Sequence, residues 1–463
     1  MNGLIRGAVK KQHHSQNLTM TQQTNSNGTA PWSRRSFLKT SAAVGAVAAV
    51  NFPSVLAQAK PAMNAIIIGL GGRGSGAGED FRQAVKETGV EGKIVAVADI
   101  FPEKARGGTE HFGVPEDKCF SGFDAYMKAL EVPGVNYVII ATPPGFKPPQ
   151  FKAAIEAGKN VFTEKPVATD GPGARIMYAA GELAKQKGLK VAAGTQRRHR
   201  PSYIETVKRI QDGAVGDIAA LRAYWVNGGP IWHRGLQGNT TLEQQIRNWY
   251  HYIWLCGDHI CEQHVHNIDV CNWIMGNQHP VRCWGQGSRQ QLGDKPGEIW
   301  DNFDVEFEYE NGVRMFSYCG QIVRKWASVS EHVQGCLGVA DMNDGRNFIR
   351  PKGGSAWRPT GIQKDNGYVN EHVDLINAIV NNTELNETKN VTDSTLTAIM
   401  GREAAYSGSG VEWDAVLNSS FMYGPEQLYQ DASKMQFGDF RTLKPPMPSL
   451  FDIFKNPPMV PVA

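Results

Sequence analysis

Asn64 to Ile68 is a short apolar run that ends in Gly69-Leu70-Gly71-Gly72-Arg73-Gly74. No other feature constrains the fold as much. A continuous apolar run of this length reads as a parallel strand buried on both faces. The glycines after it fit a strand–turn–helix passage that cradles a pyrophosphate. Gly69 permits the tight turn, Gly71 lets backbone approach the anion, and Gly74 lets the next helix pack on its strand. Gly72 and Arg73 lie in the same loop and are assigned to the same cradle. A lone G-x-G-x-x-G is a weak signal, but its surroundings strengthen it. A second strand, Lys93 to Ala98, is followed by Asp99, about 25 residues beyond the last glycine. An acid there accepts hydrogen bonds from the adenosine ribose and repels a 2′-phosphate, so NAD is expected over NADP. The plainer alternative is a solvated loop acid.

The alternation continues for some distance. Val135 to Ala141, Asn160 to Thr163 and Lys190 to Ala193 read as strands, with helices over Gln150 to Ala157 and Gly173 to Lys187 between them. Alternating strands and helices predict an α/β fold, here a doubly wound parallel Rossmann sheet. From about Gly194 the pattern changes. Ala219 to Val226, Val281 to Gln286, Trp300 to Glu308 and Val313 to Tyr318 read as strands, with a helix over 259–275 and two more over Asn370 to Asn381 and Leu396 to Ser407. The tail after Phe421 is rich in Pro and Met and reads as an extended arm without chemistry of its own.

The N-terminus carries an address. Ser33-Arg34-Arg35-Ser36-Phe37-Leu38-Lys39 precedes a weakly apolar run from Thr40 to Val50. Two small-residue cleavage options follow, Val55-Leu56-Ala57 and Ala57-Gln58-Ala59. That order reads as a removable twin-arginine export signal. The apolar run is shorter than the ~20 residues that a membrane-spanning helix needs. The chain then divides into an N-terminal tail and signal (1–59), a nucleotide-binding domain (60–193), a second domain (194–420) and an arm (421–463). A net charge of +3 and 41% hydrophobic residues describe an ordinary globular protein. No basic run suggests nucleic acid. Seven cysteines without a CxxC pair argue against a disulfide framework.

Ala141-Thr142-Pro143, Glu164-Lys165-Pro166 and Gly194-Thr195-Gln196-Arg197-Arg198 stand in an order and spacing that resembles the Gfo/Idh/MocA oxidoreductases. The resemblance implies a C-terminal α/β domain with an open, mostly antiparallel sheet, one face of which commonly forms an oligomer interface. It implies that Thr142, Pro143, Glu164 and Lys165 meet the cofactor, that Lys165 serves catalysis, and that Arg197 meets substrate. An ammonium at Lys165 can hold a substrate hydroxyl oxygen and stabilise negative charge developing there. Pro166 ends the strand and fixes where the lysine points.

The second group is Asp258-His259-Ile260-Cys261-Glu262-Gln263-His264-Val265-His266-Asn267-Ile268-Asp269. On a regular helix, residues 259, 262, 266 and 269 form one stripe. The family pattern resembles D-x-x-x-H-x-x-D. It maps His266 to the acid/base position, Asp269 to the supporting acid and Glu262 to the family aspartate. Glu262 departs from that pattern by one methylene. Two other readings of the stripe stay open: a satisfied polar seam, and a metal site of His259, Glu262 and His266. No metal is expected, because the hydride mechanism already employs these side chains. Arg247, Trp249 and Tyr250 are candidates to stack on and hydrogen-bond a pyranose, or else pack ordinarily. Trp232 and His233 are weaker candidates. A further departure is Pro144-Gly145-Phe146-Lys147, where many relatives carry a histidine.

The expected function is oxidation of a CH–OH group of a sugar, polyol or glycoside by an exported homo-oligomer with tightly bound, recycled NAD. Two alternatives remain: a redox-neutral glycoside hydrolase acting by transient oxidation and elimination, and a non-catalytic binding protein that keeps the nucleotide fold.

Overall fold

The computed structural model describes residues 60–227, 231–323, 326–343 and 346–455. The export signal, its cleavage region and Gly228-Gly229-Pro230 lie outside the described residues.

The first sheet has six strands: β1 (Met63–Ile68), β2 (Gly92–Asp99), β3 (Cys119–Ser121), β4 (Tyr137–Ile140), β5 (Asn160–Thr163) and β6 (Val191–Ala193). Their order is β3-β2-β1-β4-β5-β6, and every pairing is parallel. Ile66, Ile67, Val138, Ile139 and Ile140 are fully buried, as strands covered on both faces require. The chain reverses direction across the sheet between β1 and β4, and a crevice opens beyond the ends of such strands. Gly69 lies in that crevice with φ +92°; a Cβ there would sit 2.7 Å from the Thr142 amide nitrogen. A Cβ on Gly74 would lie 1.8 Å from the Gly69 carbonyl oxygen. These two glycines let the helix Gly72–Thr88 start directly against its strand.

The second sheet has eight strands: β7 (Ile218–Val226), β8 (Arg282–Ser288), β9 (Asn302–Glu308), β10 (Arg314–Gly320), β11 (Ser328–Gly335), β12 (Gly338–Asn343), β13 (Phe348–Pro351) and β14 (Val411–Glu412). The order is β13-β12-β11-β7-β10-β9-β8-β14. Only the β7–β10 pairing is parallel. The sheet is therefore open and mostly antiparallel. Its inner face buries Leu221, Phe303, Phe307 and Met315 under the helices Val265–Ile274 and Thr388–Ser407. Its outer face carries Tyr224 stacked on Tyr318, with Trp326 edge-on.

Two late helices fasten the sheets together. The helix Gly367–Asn381 packs on Gly72–Thr88, where His372 Nδ1 pairs with the Tyr137 hydroxyl at 2.7 Å. The helix Thr388–Ser407 packs on both β8 and the helix Gly171–Gln186. It begins eight residues before the apolar pattern of 396–407 suggests, because buried Thr392 and Thr395 satisfy their hydroxyls on the carbonyls of Thr388 and Val391 within the helix. No helix among the described residues is long and apolar enough to cross a membrane.

The 259–275 segment differs from the regular helix expected of it. It opens on Gly257 and Asp258, both left-handed at φ 76° and 73°. Asp258 is fully buried, and its carboxylate accepts from the amides of His259 and Trp300 and from the Tyr406 hydroxyl. Arg402, also buried, donates to the Gly257 carbonyl at 3.0 Å. From this pinned turn the chain makes a π-helical turn over Ile260–His264 and only then an α-helix over Val265–Ile274. A π turn holds more residues than an α turn. It therefore rotates residues before and after it out of the single stripe that α spacing predicts.

Candidate active site

A cavity of about 500 Å³ opens beyond the C-terminal ends of β1, β4 and β5. Its wall includes Gly69, Gly71, Gly72 and Arg73 from the cradle, Asp99 from β2, Thr142 and Pro143 from the end of β4, and Glu164 and Lys165 from the end of β5. Glu262, Gln263 and His266 complete it from the second domain.

The cradle suits an anion. Cβ atoms on Gly71 and Gly72 would meet nothing within 4 Å, so the backbone there faces open space. Gly71 caps the helix with extended backbone and no side-chain cap, leaving first-turn amides free to donate. Gly74 does not line the cavity; it packs helix on strand. The Asp99 carboxylate accepts from the Leu70 amide at 2.8 Å and the Phe101 amide at 3.0 Å. Burial pushes its pKa up, and these two bonds oppose that shift. Asp99 is thus a fixed, partly buried acceptor at the cavity edge rather than a loose loop acid. Glu164 is held by Arg73 Nε at 2.9 Å, and Arg73 also pairs with Asp80 and lies over the Tyr368 ring.

Lys165 precedes Pro166 through a cis peptide bond. Its ammonium donates to the Glu262 carbonyl at 2.5 Å and approaches Glu262 Oε1 at 3.3 Å. Glu262 Oε2 is buried without a hydrogen-bond partner among the described residues. Burial raises the Glu262 pKa, against the attraction of Lys165 and Lys147. His266 faces the same cavity. Burial first, then repulsion from Lys165 and Arg197, holds its pKa well below 6.5. The imidazole is therefore neutral at physiological pH and competent as a base. A base fails only when it is protonated. Accordingly kcat/KM is expected to stay level as pH falls through 6.5 and to drop only well below it. An acid-side fall in kcat/KM centred at or above 6.5 would remove His266 from that role.

Several expected neighbours lie elsewhere. Asp269 is not at the cavity: Arg198 grips it at 2.8 and 2.9 Å, and Ser394 donates to it at 2.8 Å. His259 also leaves the stripe, pairing with the Tyr250 hydroxyl at 3.0 Å and packing edge-on to Trp225. The π turn causes both departures, and His259, Glu262 and His266 do not converge. Tyr250 is buried behind the wall, supporting His259. Arg197 is buried beside Glu331 at 3.6 Å, beneath the site rather than in it. Arg247 does line the cavity, but at the far end: it pairs with Glu103 and Glu243 and lies 3.9 Å over the Phe101 ring, two residues past Asp99. Trp249 and Trp232 line the wall, with ring centroids 6.1 Å apart.

Lys147 is the residue that sequence reasoning passed over. It begins the helix Lys147–Glu156, whose first turn tolerates Pro148 and Pro149 because those amides need no helical acceptor. Its ammonium, 2% exposed, donates to the carbonyls of Pro166 at 2.9 Å and Lys165 at 3.3 Å. Burial pushes its pKa down to about 8, while Glu262 and Glu164 oppose that and Lys165 adds to it. A lysine beside two prolines, just past Ala141-Thr142-Pro143, was the available signal. Lys147→Met should lower kcat about 10- to 100-fold through misplacement of Lys165, with NAD affinity kept. The wild type should also show an inflection near pH 8 that the variant lacks. Equal kcat values would mean that Lys165 needs no brace.

Comparison with known proteins places this geometry. A family model described as "Oxidoreductase family, NAD-binding Rossmann fold" matches residues 63–195. A second, "GFO/IDH/MocA C-terminal domain", matches 203–338. A model for the twin-arginine translocation pathway signal sequence matches 33–50. Inositol 2-dehydrogenase of Gluconacetobacter diazotrophicus is 27% identical over 46% of this chain and 56% of its own length. The chain spans about half the length of the curated relatives it matches. Aldose-aldose oxidoreductase from Caulobacter crescentus superposes with TM-score 0.61 at 20% identity, covering 76% of this chain and 99% of that one. Levoglucosan dehydrogenase in complex with NADH and levoglucosan gives 0.63 at 18% identity, with the same coverage. These two likenesses concern the fold.

Proposed function

The chain belongs to the GFO/IDH/MocA oxidoreductase family, and we propose that it is an exported NAD-dependent dehydrogenase acting on a CH–OH group of a sugar, polyol or glycoside. The observation that carries this reading is the meeting of Lys165, Glu262 and His266 on the wall that also holds the cradle. The relatives' names, an inositol dehydrogenase and two sugar oxidoreductases, support a polyhydroxylated substrate.

The residues present fit a dinucleotide. The open backbone of Gly71 and Gly72 would hold its pyrophosphate, Asp99 its adenosine ribose, and Thr142, Pro143 and Glu164 would border its nicotinamide half. Bound NAD would supply the hydride acceptor for the substrate carbon. The protein does the rest. Lys165 donates to the substrate oxygen and stabilises charge that grows there. Neutral His266 accepts the hydroxyl proton. The partnerless Oε2 of Glu262 accepts from a neighbouring hydroxyl and so orients the ring. The Glu262 carbonyl and Lys147 keep Lys165 in place.

The twin-arginine match supports export of the folded protein. Beyond the cytoplasm no soluble NAD pool serves turnover, so the cofactor is carried along, tightly held and recycled by a second substrate. The outer aromatic face of the second sheet, with Trp326 55% exposed, supports a homo-oligomer. The test is a product assay over a panel of sugars and glycosides. A keto-sugar supports the reading. Release of free aglycone without net reduction of NAD would replace it with redox-neutral hydrolysis.

A further inference from the structure

The C-terminal arm packs against the loops that border the cofactor cavity at its adenosine end. Phe101 and Phe123 line the cavity there, on the loops that follow β2 and β3. Phe437 of the arm stacks on Phe101 with centroids 5.8 Å apart and planes 14° apart, and tilts onto Phe123 at 5.1 Å. It does so while 39% exposed and outside the cavity lining, so it braces these two rings from the solvent side rather than filling a core. The other side of this end is closed by Arg247, over the Phe101 ring and paired with Glu103 at 2.9 Å.

The brace and the clasp are one body. Arg247 ends the helix Thr241–Arg247, and the arm is sewn to that helix. The Leu242 amide donates to the Gly438 carbonyl at 3.2 Å, and the Phe440 amide donates to Thr241 Oγ1 at 2.6 Å. Gln245 donates to the Arg441 carbonyl at 2.8 Å, and the Leu443 amide to Glu298 at 2.8 Å. Within residues 437–443 and this helix, the polar link to the nucleotide side is the partly exposed Arg247–Glu103 pair; nearer its start the arm is also anchored there, where Tyr429 donates to Asp170 at 3.2 Å. Ion pairs of this kind are weak and open readily. Residues 437–443 are a strap: firmly attached to the second domain and lightly latched to the loops at the adenosine end.

We infer that residues 437–443, with Arg247, form a strap that retains the adenosine half of the dinucleotide and makes its release slow. This rests on the NAD-dependent reading above and supplies that reading with residues for tight binding. It gives the arm a role that its Pro- and Met-rich sequence did not disclose.

The test is the rate of NADH release from the full chain, loaded and then chased with excess NAD. Phe437→Ala should release NADH about tenfold faster, the order expected for lost aromatic pairs. Phe437→Tyr, which keeps the ring, should release it at nearly the wild-type rate. Hydrogen exchange on the wild type gives a readout independent of any variant: the Phe440 and Leu443 amides should gain protection when NAD is bound. Unchanged release from Phe437→Ala, or no gain of protection at these amides, overturns the strap and leaves the dehydrogenase reading standing. A chain that binds no NAD overturns both.

Discussion

Lys165→Ala is expected to lower kcat by about 10²- to 10⁴-fold while NAD still binds. The lysine has two roles, and alanine removes both. Its ammonium is the donor placed for the substrate oxygen, in a site where burial strengthens each charge interaction. It also compensates Glu262, which is 8% exposed and already pushed towards its neutral form by burial. Without Lys165 the Glu262 pKa rises further, and the orienting acceptor is lost along with the donor. The cradle lies on β1 and the helix Gly72–Thr88, and its backbone amides do not depend on Lys165. Activity and cofactor binding should therefore separate. Steady-state kinetics beside an NAD titration checks this. An unchanged kcat removes Lys165 from the chemistry; a joint loss of NAD binding makes it a structural residue of the cradle.

Gly74→Val should produce the converse result, loss of cofactor binding before any question of chemistry. A Cβ at this position would lie 1.8 Å from the Gly69 carbonyl oxygen and 3.0 Å from its carbon. Those are backbone atoms, and no rotamer change relieves them. The helix must move off β1, which spreads the loop that faces the pyrophosphate. Overpacking of this kind costs about 1–3 kcal/mol in stability. NAD affinity should fall at least about 100-fold, since about 3 kcal/mol of lost binding corresponds to more than that. Gly71→Ala is the contrast. Its Cβ meets no protein atom, so the fold should keep its melting temperature while NAD binding weakens through intrusion into the cavity. Thermal melts and NAD titrations on both variants check the pair. Equal NAD affinity in wild type and Gly74→Val would place the dinucleotide elsewhere.

The parts legible in the sequence were those set by local pattern. The glycine spacing from 69 to 74 and the apolar runs of β1, β2, β4 and β5 depend on neighbours a few residues apart. They marked the first sheet and its crevice. Glu262 and His266, four apart, also fell on one wall as expected. The misses were nonlocal. Asp269 and His259 left the stripe because Asp258, Tyr406, Trp300 and Arg402 pin a turn that starts a π turn. Those residues lie up to 148 positions from it, and no periodicity reports them. Strands β11 to β13 went unread; in β11 the inward-facing, fully buried residue is Glu331. Asn267 and Tyr203 bond that glutamate at 2.6 and 3.2 Å, so polar residues stand where alternation expects apolar ones. Arg247 is read towards the substrate by its aromatic neighbours, yet its partner Glu103 draws it to the adenosine end. Lys147 and Phe437 gave little signal, because their meaning lies in which carbonyls and rings they meet.

The central claim is hydride transfer at a site built from Lys165, Glu262 and His266. The most direct measurement follows deuterium from the carbinol carbon of a converted sugar or polyol into the nicotinamide of enzyme-bound NAD. Deuterium is expected on the reduced cofactor of the wild type, and none with Lys165→Ala under the same single-turnover conditions. Substrate conversion by the wild type with no deuterium reaching the cofactor would contradict that claim.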